Sequence, residues 1–480
     1  MTASEAGIGQ LDGSGAGPGT VIRNSRQLLD HGPAELRRVA LDVIAAGLLA
    51  ADPGLAVDRL VRLDGSLLRA GDGCYDLDKV RSVTLLGAGK ASLAVAEALM
   101  RKLGDRIDGG LIVTGRGTGR SLGQVDVAEA DHPVPSAASL DAARRLAAVA
   151  DDLGPGDLLI TAFTGGSSAL ACLPPEGVLF ASKQRLHALL LESGASIAEI
   201  NSVRKHVSAI KGGRLAERAA GAAILNLTVS DVVGDRVDLL CDPVVQDTSS
   251  VSSAIAVLQR HGLWSEVAPD IRDHLCDQRS ESPALNGEDI ITIVLIAGAG
   301  VVGRMEERVQ ALGWRPAVLG SQVEGEAATL GGFLGALAAE SSIAGRPFTP
   351  GTVLLAAGGE ATVTFRRPAS AAAGAGGPNQ EMALGFARAA ARGGAAVAGA
   401  FCDSDGSDGG TDAAGGCVDS TTAARAEQIR LGLDDAITRH DSNSALSRLG
   451  DLIRTGPTGT NISDLWVIAI DAAGPEAGNG

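Results

Sequence analysis

Short aliphatic runs that close on a glycine- or serine-rich loop, then give way to a helical pattern, recur along this chain. That alternation restricts the fold more than any other feature. Val83-Thr-Leu-Leu-Gly87 leads into Gly87-Ala-Gly89-Lys90, and residues 91–103 follow with helical periodicity. Residues 110–114 form the next apolar run and residues 139–150 the next helical one. Residues 157–162 run into Thr164-Gly-Gly-Ser-Ser-Ala169, and residues 223–229 close at Ser230-Asp231. Ser196-x-x-Glu199 has the form of a capping box, opening a helix through Lys205 that extends toward Lys211. Strands alternating with helices predict a parallel, doubly wound α/β sheet whose ligands sit beyond the carboxyl ends of the strands.

The polar stretch 275–289, with its proline and glycine, predicts a boundary. The expected division is a flexible leader over 1–30, a domain over 31–280 and a second α/β region over 290–475. The second pattern begins with a strand at 290–297. Residues 352–365 alternate around Gly358-Gly359 and are expected to form a hairpin. Residues 379–392 read as a helix, 395–402 as a strand entering an acidic loop, and 465–470 as the last strand; the Ala/Gly-rich stretch 368–377 reads as a mobile loop.

Composition narrows the function classes. Aromatic residues are 2% of the chain, too few for a platform that stacks bases, and a net charge of −16 disfavours nucleic-acid backbones and anionic lipid. A small anion in a locally basic pocket remains compatible. The six cysteines form no C-x-x-C pair, and neither a signal-peptide pattern nor an uninterrupted apolar run of about 18 residues occurs. The expectation is a reduced, cytoplasmic protein without membrane or nucleic-acid partners.

Five constellations carry chemistry. Gly87-Ala-Gly89-Lys90 places backbone N–H groups and a full positive charge at a helix start, where lysine is electrostatically disfavoured unless an anion sits there. Gly165-Gly166-Ser167-Ser168 offers close backbone approach and two hydroxyls. Arg204, Lys205, His206, Lys211 and Arg214 form a basic cluster in an acidic chain, with Arg204 and Lys211 on one face if the helix continues. The acidic loop Asp403–Asp412 holds four carboxylates after a buried strand, a density suited to Mg²⁺ or to a carboxylate that orients a hydroxyl. It is not a calcium loop, because position 12 counted from Asp403 is Ala414. The small-residue run Thr455–Asn461 could hold phosphate or a polyol. Each also admits a plain reading as a tight turn or a solvated face. Gly298-Ala-Gly300-Val-Val-Gly303 matches the dinucleotide pattern, with Glu324 about twenty residues on, but one such match is weak in a chain with 65 glycines.

Asn201-Ser-Val-Arg-Lys-His-Val-Ser-Ala-Ile-Lys-Gly-Gly-Arg-Leu215 resembles a motif of the class II glycerate kinases, whose C-terminal half is called the MOFRL domain. Gly87–Ala91, Asp131-His-Pro-Val-Pro135, Gly376-Gly-Pro-Asn-Gln-Glu381, Asp403–Gly416 and Thr455–Asp464 agree with the family in the same order. The resemblance implies a Rossmann-like N-terminal domain, a smaller α/β C-terminal domain, and an active site in the cleft between them. It implies ATP-dependent phosphorylation of glycerate, giving 2-phosphoglycerate, or of a related small anionic hydroxy acid, with ATP and Mg²⁺ required and a homo-oligomer left open. By matching positions it implies catalytic roles for Lys90, Asp405, Asp408 and Arg204, with Asp405 and Asp408 on the metal. Gly87, Gly89, Gly165, Gly166, Ser167, Ser168, Lys211, Asn379, Glu381, Thr460 and Asn461 are the expected cofactor-binding residues. Thr164–Ser168 departs from the expected Ser-Gly-Gly-Gly-Ser. Cys241-Asp242-Pro243-Val244 departs from Ser-Gly-Pro-Thr, and Pro378 stands where some relatives carry arginine. These departures predict an acceptor other than plain D-glycerate. Two other readings stay open: an NAD(P)-dependent hydroxypyruvate reductase using Gly298–Gly303, and a non-catalytic nucleotide- or acid-binding homologue.

Overall fold

The computed structural model describes residues 21–219, 221–229, 239–277, 280–364, 374–392 and 394–472. Three short strands, β1 (Val61–Asp64), β2 (Leu67–Ala70) and β3 (Gly73–Asp76), form a small antiparallel sheet absent from the sequence reading. The first large sheet is wholly parallel. It contains β4 (Val83–Ala88), β5 (Gly109–Gly115), β6 (Val125–Ala130), β7 (Leu158–Phe163), β8 (Ala223–Val229) and β9 (Ile290–Ile296), in the order β6-β5-β4-β7-β8-β9. The order reverses direction between β4 and β7, so the loops after these two neighbours flank a crevice at the sheet's carboxyl edge. Both strands are buried along their whole length, as strands covered on both faces must be.

The second large sheet is mixed. It contains β10 (Arg315–Gly320), β11 (Glu324–Glu326), β12 (Thr352–Thr362), β13 (Ala396–Asp403), β14 (Gly415–Asp419), β15 (Leu452–Ile453) and β16 (Asp464–Asp471). The order is β10-β12-β16-β13-β14-β15, with β11 beside β12. Here β12 is one long strand rather than a hairpin. Its register shifts between Ala357 and Gly359, so the two glycines mark an irregularity in a continuous strand.

The expected boundaries are redrawn by pairing. Strand β9, read as the start of the second region, pairs with β8 and completes the first sheet. The helix Ala34–Ala50, read as part of the first domain, turns instead to the second region: its fully buried Arg37 donates to Asp419 and Asp451, and its Asp42 meets Arg308. The leader is ordered from residue 21, with Ile22 and Leu28 fully buried and Asn24 bonded to Leu452 O and Arg454 N. Residues 1–20, the stretch 365–373 and the pair Ser230-Asp231 lie outside the described residues.

Among the described residues, one single helix, Ala327–Ala344, is long and apolar enough to cross a membrane by length and composition. It contains Gly331 and Gly335, where a Cβ would lie 2.0 Å from Met382 O and 2.5 Å from Phe386 O of the helix Pro378–Ala390. Small residues let these two helices touch backbone to backbone, which accounts for the composition.

Candidate active site

Lys90 stands at the carboxyl end of β4, where two loops are laced together. Lys90 N–H donates to Gly165 O (2.9 Å) and Thr164 N–H to Ala88 O (3.1 Å). The Thr164 hydroxyl accepts from Ala91 N–H (3.1 Å), next to the helix Ser92–Leu103. The same lacing explains Gly87 and Gly89. A Cβ on Gly87 would lie 2.6 Å from Ala162 O, and one on Gly89 2.1 Å from Thr164 Oγ1, with φ at +143°. Both glycines are buried and line neither cavity described below. They allow the close approach of neighbouring strands and loops, so the expected phosphate cradle is corrected to a packing role.

From this platform Lys90 reaches across to the second sheet, and its Nζ donates to Asp405 Oδ2 at 2.9 Å. Asp405 sits in the loop after β13. Its Oδ1 accepts from Ser407 N–H, its backbone carbonyl accepts from Thr458 N–H, and Ser404 Oγ accepts from Ile462 N–H. The acidic loop and the Thr455–Asn461 run are thus one construction.

Lys90 lines two cavities. The smaller, about 300 Å³, is walled by Gly165–Ser168, His132, Arg204, Asp242 and Asn461. The larger, about 960 Å³, is lined by Asp405, Ser407, Thr458 and Thr460, with Arg23, Arg120 and Arg454 at its margins. Asn461 faces the first and Thr460 the second, so this loop and Lys90 form the partition between them.

The smaller cavity has a basic floor. Arg204 Nη2 donates to His187 Nε2 (3.0 Å). Burial above all, then Arg204 and Lys183, pushes the His187 pKa down to about 3, so the ring is neutral and able to accept. Lys211 lines neither cavity and stands behind the wall: its Nζ donates to Ser167 Oγ (2.8 Å) and lies 5.5 Å from the centre of the Phe163 ring. Burial lowers its pKa, while Cys241 and Asp242 oppose. Asp242 does not face solvent. It is buried on the cavity wall, accepts from Val244 N–H (2.8 Å), and has its pKa raised by burial. Val244 lies fully in the core. The helix Ile197–His206 stops before Lys211, so Arg204 and Lys211 do not share one continuous helix face. The capping box at its start has both bonds, Glu199 N–H to Ser196 Oγ and Ser196 N–H to Glu199 Oε2.

Several expected site residues are elsewhere. Asp408 is buried, and its carboxylate accepts from the N–H groups of Asn379 (3.1 Å) and Gln380 (2.9 Å) at the start of the helix Pro378–Ala390. Burial raises its pKa to about 6 against these hydrogen bonds. A carboxylate so engaged caps the helix, whose first-turn N–H groups lack intrahelical acceptors, and does not present itself to a metal. Asn379 is buried as well, donating to Asp464 Oδ1 (2.6 Å) and accepting from Trp466 Nε1 (3.1 Å). Glu381 pairs with His440 Nδ1 (3.0 Å). None of the three lines either cavity.

For a divalent cation, the larger cavity offers the carboxylate of Asp405, partly exposed and held by Lys90, and that of Asp412, exposed and paired with Arg454. That suits Mg²⁺, which takes one or two carboxylates and completes its shell with phosphates and water. Among the described residues, no three His, Cys, Asp or Glu side chains converge on a metal cage.

The dinucleotide pattern is not used as such. Gly298, Gly300 and Gly303 all lie within the helix Gly298–Ala311. The strand before that helix is β9 of the first sheet and the strand after it is β10 of the second, so no β-α-β unit forms there. Gly298 instead packs on the β12 irregularity, its Cβ position 3.0 Å from Gly358 Cα. Among the residues lining the smaller cavity, His132 and His187 were missed. His187 has no local signal, whereas His132 belongs to the quoted Asp131–Pro135 motif.

The chain matches a family profile described as a domain of unknown function, DUF4147, over residues 39–276, and the MOFRL family over residues 353–464. It is 36% identical to a glycerate 2-kinase of Pyrococcus horikoshii, over 91% of this chain and 97% of that one. It is 34% identical to a D-glycerate 2-kinase of Thermotoga maritima, over 91% and 98%. The crystal structure of a Thermotoga maritima glycerate kinase superposes with a TM-score of 0.78 at 32% identity, covering 91% of this chain and 100% of that chain.

Proposed function

The chain belongs to the glycerate kinase family, and on that premise we propose that it transfers the γ-phosphoryl group of ATP to a hydroxyl of glycerate, giving 2-phosphoglycerate, or of a close hydroxy-acid relative. One observation carries the reading: Lys90 stands in the partition between a pocket of about 300 Å³ with a basic floor and a cavity of about 960 Å³ bearing hydroxyls, glycines and Asp405. The first matches a small hydroxy acid and the second a nucleotide. The reacting groups would meet at the lysine, in a cleft between a Rossmann-like sheet and a mixed α/β domain.

Phosphoryl transfer needs positioning and charge neutralisation more than covalent help. Arg204, oriented by neutral His187, grips the acceptor carboxylate, since a guanidinium pairs with two oxygens at once. Lys90 leaves Asp405 for the transferring phosphoryl group, whose charge it balances. Mg²⁺ held by Asp405 and the nucleotide would supply further neutralisation. Ser167 and Ser168 offer hydroxyls to the acid. The buried Asp242 adds a carboxyl group to the pocket wall, where an extra hydroxyl of a longer acid could bind it.

An ADP-release assay over glycerate, erythronate, threonate and tartrate tests this directly. ADP formation that depends on both an acid and Mg²⁺, with a phosphorylated acid identified by mass, is the expected result. Oxidation of NADH by hydroxypyruvate without ATP would overturn it. A glycerate kcat/KM at least about tenfold above the four-carbon acids would remove Asp242 from acceptor selection.

A further inference from the structure

His132 lies between β6 and the helix Ala137–Asp151, on the wall of the smaller cavity. A Cβ on Gly166 would stand 3.1 Å from its Cδ2, 3.3 Å from its Nε2 and 3.6 Å from Lys90 Cγ. The imidazole and the lysine stem therefore flank the same glycine, whose φ of +85° and missing side chain let both close in. Among the described residues, neither ring nitrogen of His132 has a hydrogen-bond partner. Of the other proton acceptors here, Asp242 accepts from Val244 N–H and His187 from Arg204, while Asp405 accepts from Ser407 N–H and is the carboxylate that the proposed function gives to Mg²⁺.

We propose that His132 is a catalytic residue of this site, the general base that takes the proton from the acceptor hydroxyl as it attacks the nucleoside triphosphate. The inference rests on the hydroxy-acid kinase reading above. The balance is simple. The hydroxyl proton passes to a ring nitrogen, the acceptor oxygen–phosphorus bond forms, the bridging oxygen–phosphorus bond breaks with its electron pair leaving on the diphosphate, and the imidazolium returns its proton to water. A base must be neutral to act. Partial desolvation lowers the His132 pKa below the ordinary histidine value, Lys90 and Arg204 lower it further, and Asp405 opposes them. His187, which lines the same cavity, is neutral and adds no charge.

The test uses the full chain with Mg-ATP and the best acceptor from the ADP-release screen. For His132→Gln and His132→Asn, kcat should fall about 100-fold, within the range for a lost general base, while KM for ATP and for the acid and the melting temperature stay near the parent's. The parent's kcat/KM should fall on the acid side, below the ordinary histidine range, and that limb should be absent from the variants. Either variant keeping kcat within about fivefold overturns the assignment, as does a loss accompanied by a tenfold rise in KM for the acid, which would make His132 a binding group. A parent profile without that acid limb overturns it without any variant having to fold. A parent that releases no ADP with any acid removes the kinase reading itself, and the base with it; an active parent with an active His132→Gln removes only the base.

Discussion

Replacing Asp408 by alanine separates two roles that the acidic loop could give its carboxylates. In the structure this side chain accepts from Asn379 N–H, Gln380 N–H and Asn379 Nδ2, at 3.1, 2.9 and 3.3 Å, all buried. Truncation strands two backbone donors of the helix Pro378–Ala390, at about 1–3 kcal/mol each. Removing a buried carboxylate whose pKa burial has raised to about 6 offsets part of that loss at neutral pH. The net expectation is a destabilisation of about 2–4 kcal/mol, at the upper end of helix-cap replacements and beyond. A chain of 480 residues unfolds with an entropy of about 1 kcal/mol per kelvin, so the melting temperature should fall by about 2–4 °C. Asp405→Ala breaks a partly exposed ion pair, worth about 0.2–1 kcal/mol, and the exposed hydrogen bond from Ser407 N–H, worth about 0.5–1.5 kcal/mol, and should melt within about two degrees of the parent while losing turnover. Calorimetry on both variants, with turnover followed across a Mg²⁺ series, reads the difference. Should Asp408→Ala melt like the parent yet demand more Mg²⁺, the helix-cap assignment is wrong and the carboxylate is a metal ligand.

Lys90→Ala should lower kcat about 10²–10³-fold with the fold retained, as loss of one preorganised charge contact does, and ADP release within tenfold of the parent would exclude it from the reaction. Arg37→Met should destabilise the protein by at most about 3–5 kcal/mol, because it removes the fully buried cation that both Asp419 and Asp451 contact, with Arg425, and His31 at Asp451, left as partial compensation; an unchanged melting temperature would show that the helix Ala34–Ala50 is held by its apolar face alone. Burial, with Asp408 and Glu360 adding to it, raises the Asp464 pKa to about 7. The folded state therefore holds a proton that the unfolded state releases, and this contribution to stability is present at low pH and lost as pH rises through about 4 to 7. Asp464→Asn should flatten the melting-temperature profile over that window, and an unaltered slope would show that Asp464 does not titrate there.

Much of the first sheet was legible because its signals are local. Buried parallel strands must be aliphatic, their helices must begin with a cap, and Lys90 must follow a strand end; β4, β7, β8 and the Ser196–Glu199 box follow from periods of a few residues. Lys90 and the acidic loop were likewise visible as charge in places where charge needs a reason. Position along the chain did not reveal which carboxylate of that loop does what. Asp405 and Asp408 are three residues apart, yet one turns to Lys90, 315 residues away, and the other to a helix start 29 residues away. Chain order likewise placed β9 and the helix Ala34–Ala50 with the wrong neighbours, because a strand or an apolar helix face specifies only that it must be covered. The same holds for His132, one histidine in a proline-rich loop until the fold sets it against Gly166 beside Lys90. Local patterns determined the elements and most of their ends. The partner of each edge, face and carboxylate was decided by packing between distant segments, since hydrogen bonds and ion pairs depend on ångström-scale placement that no local period encodes.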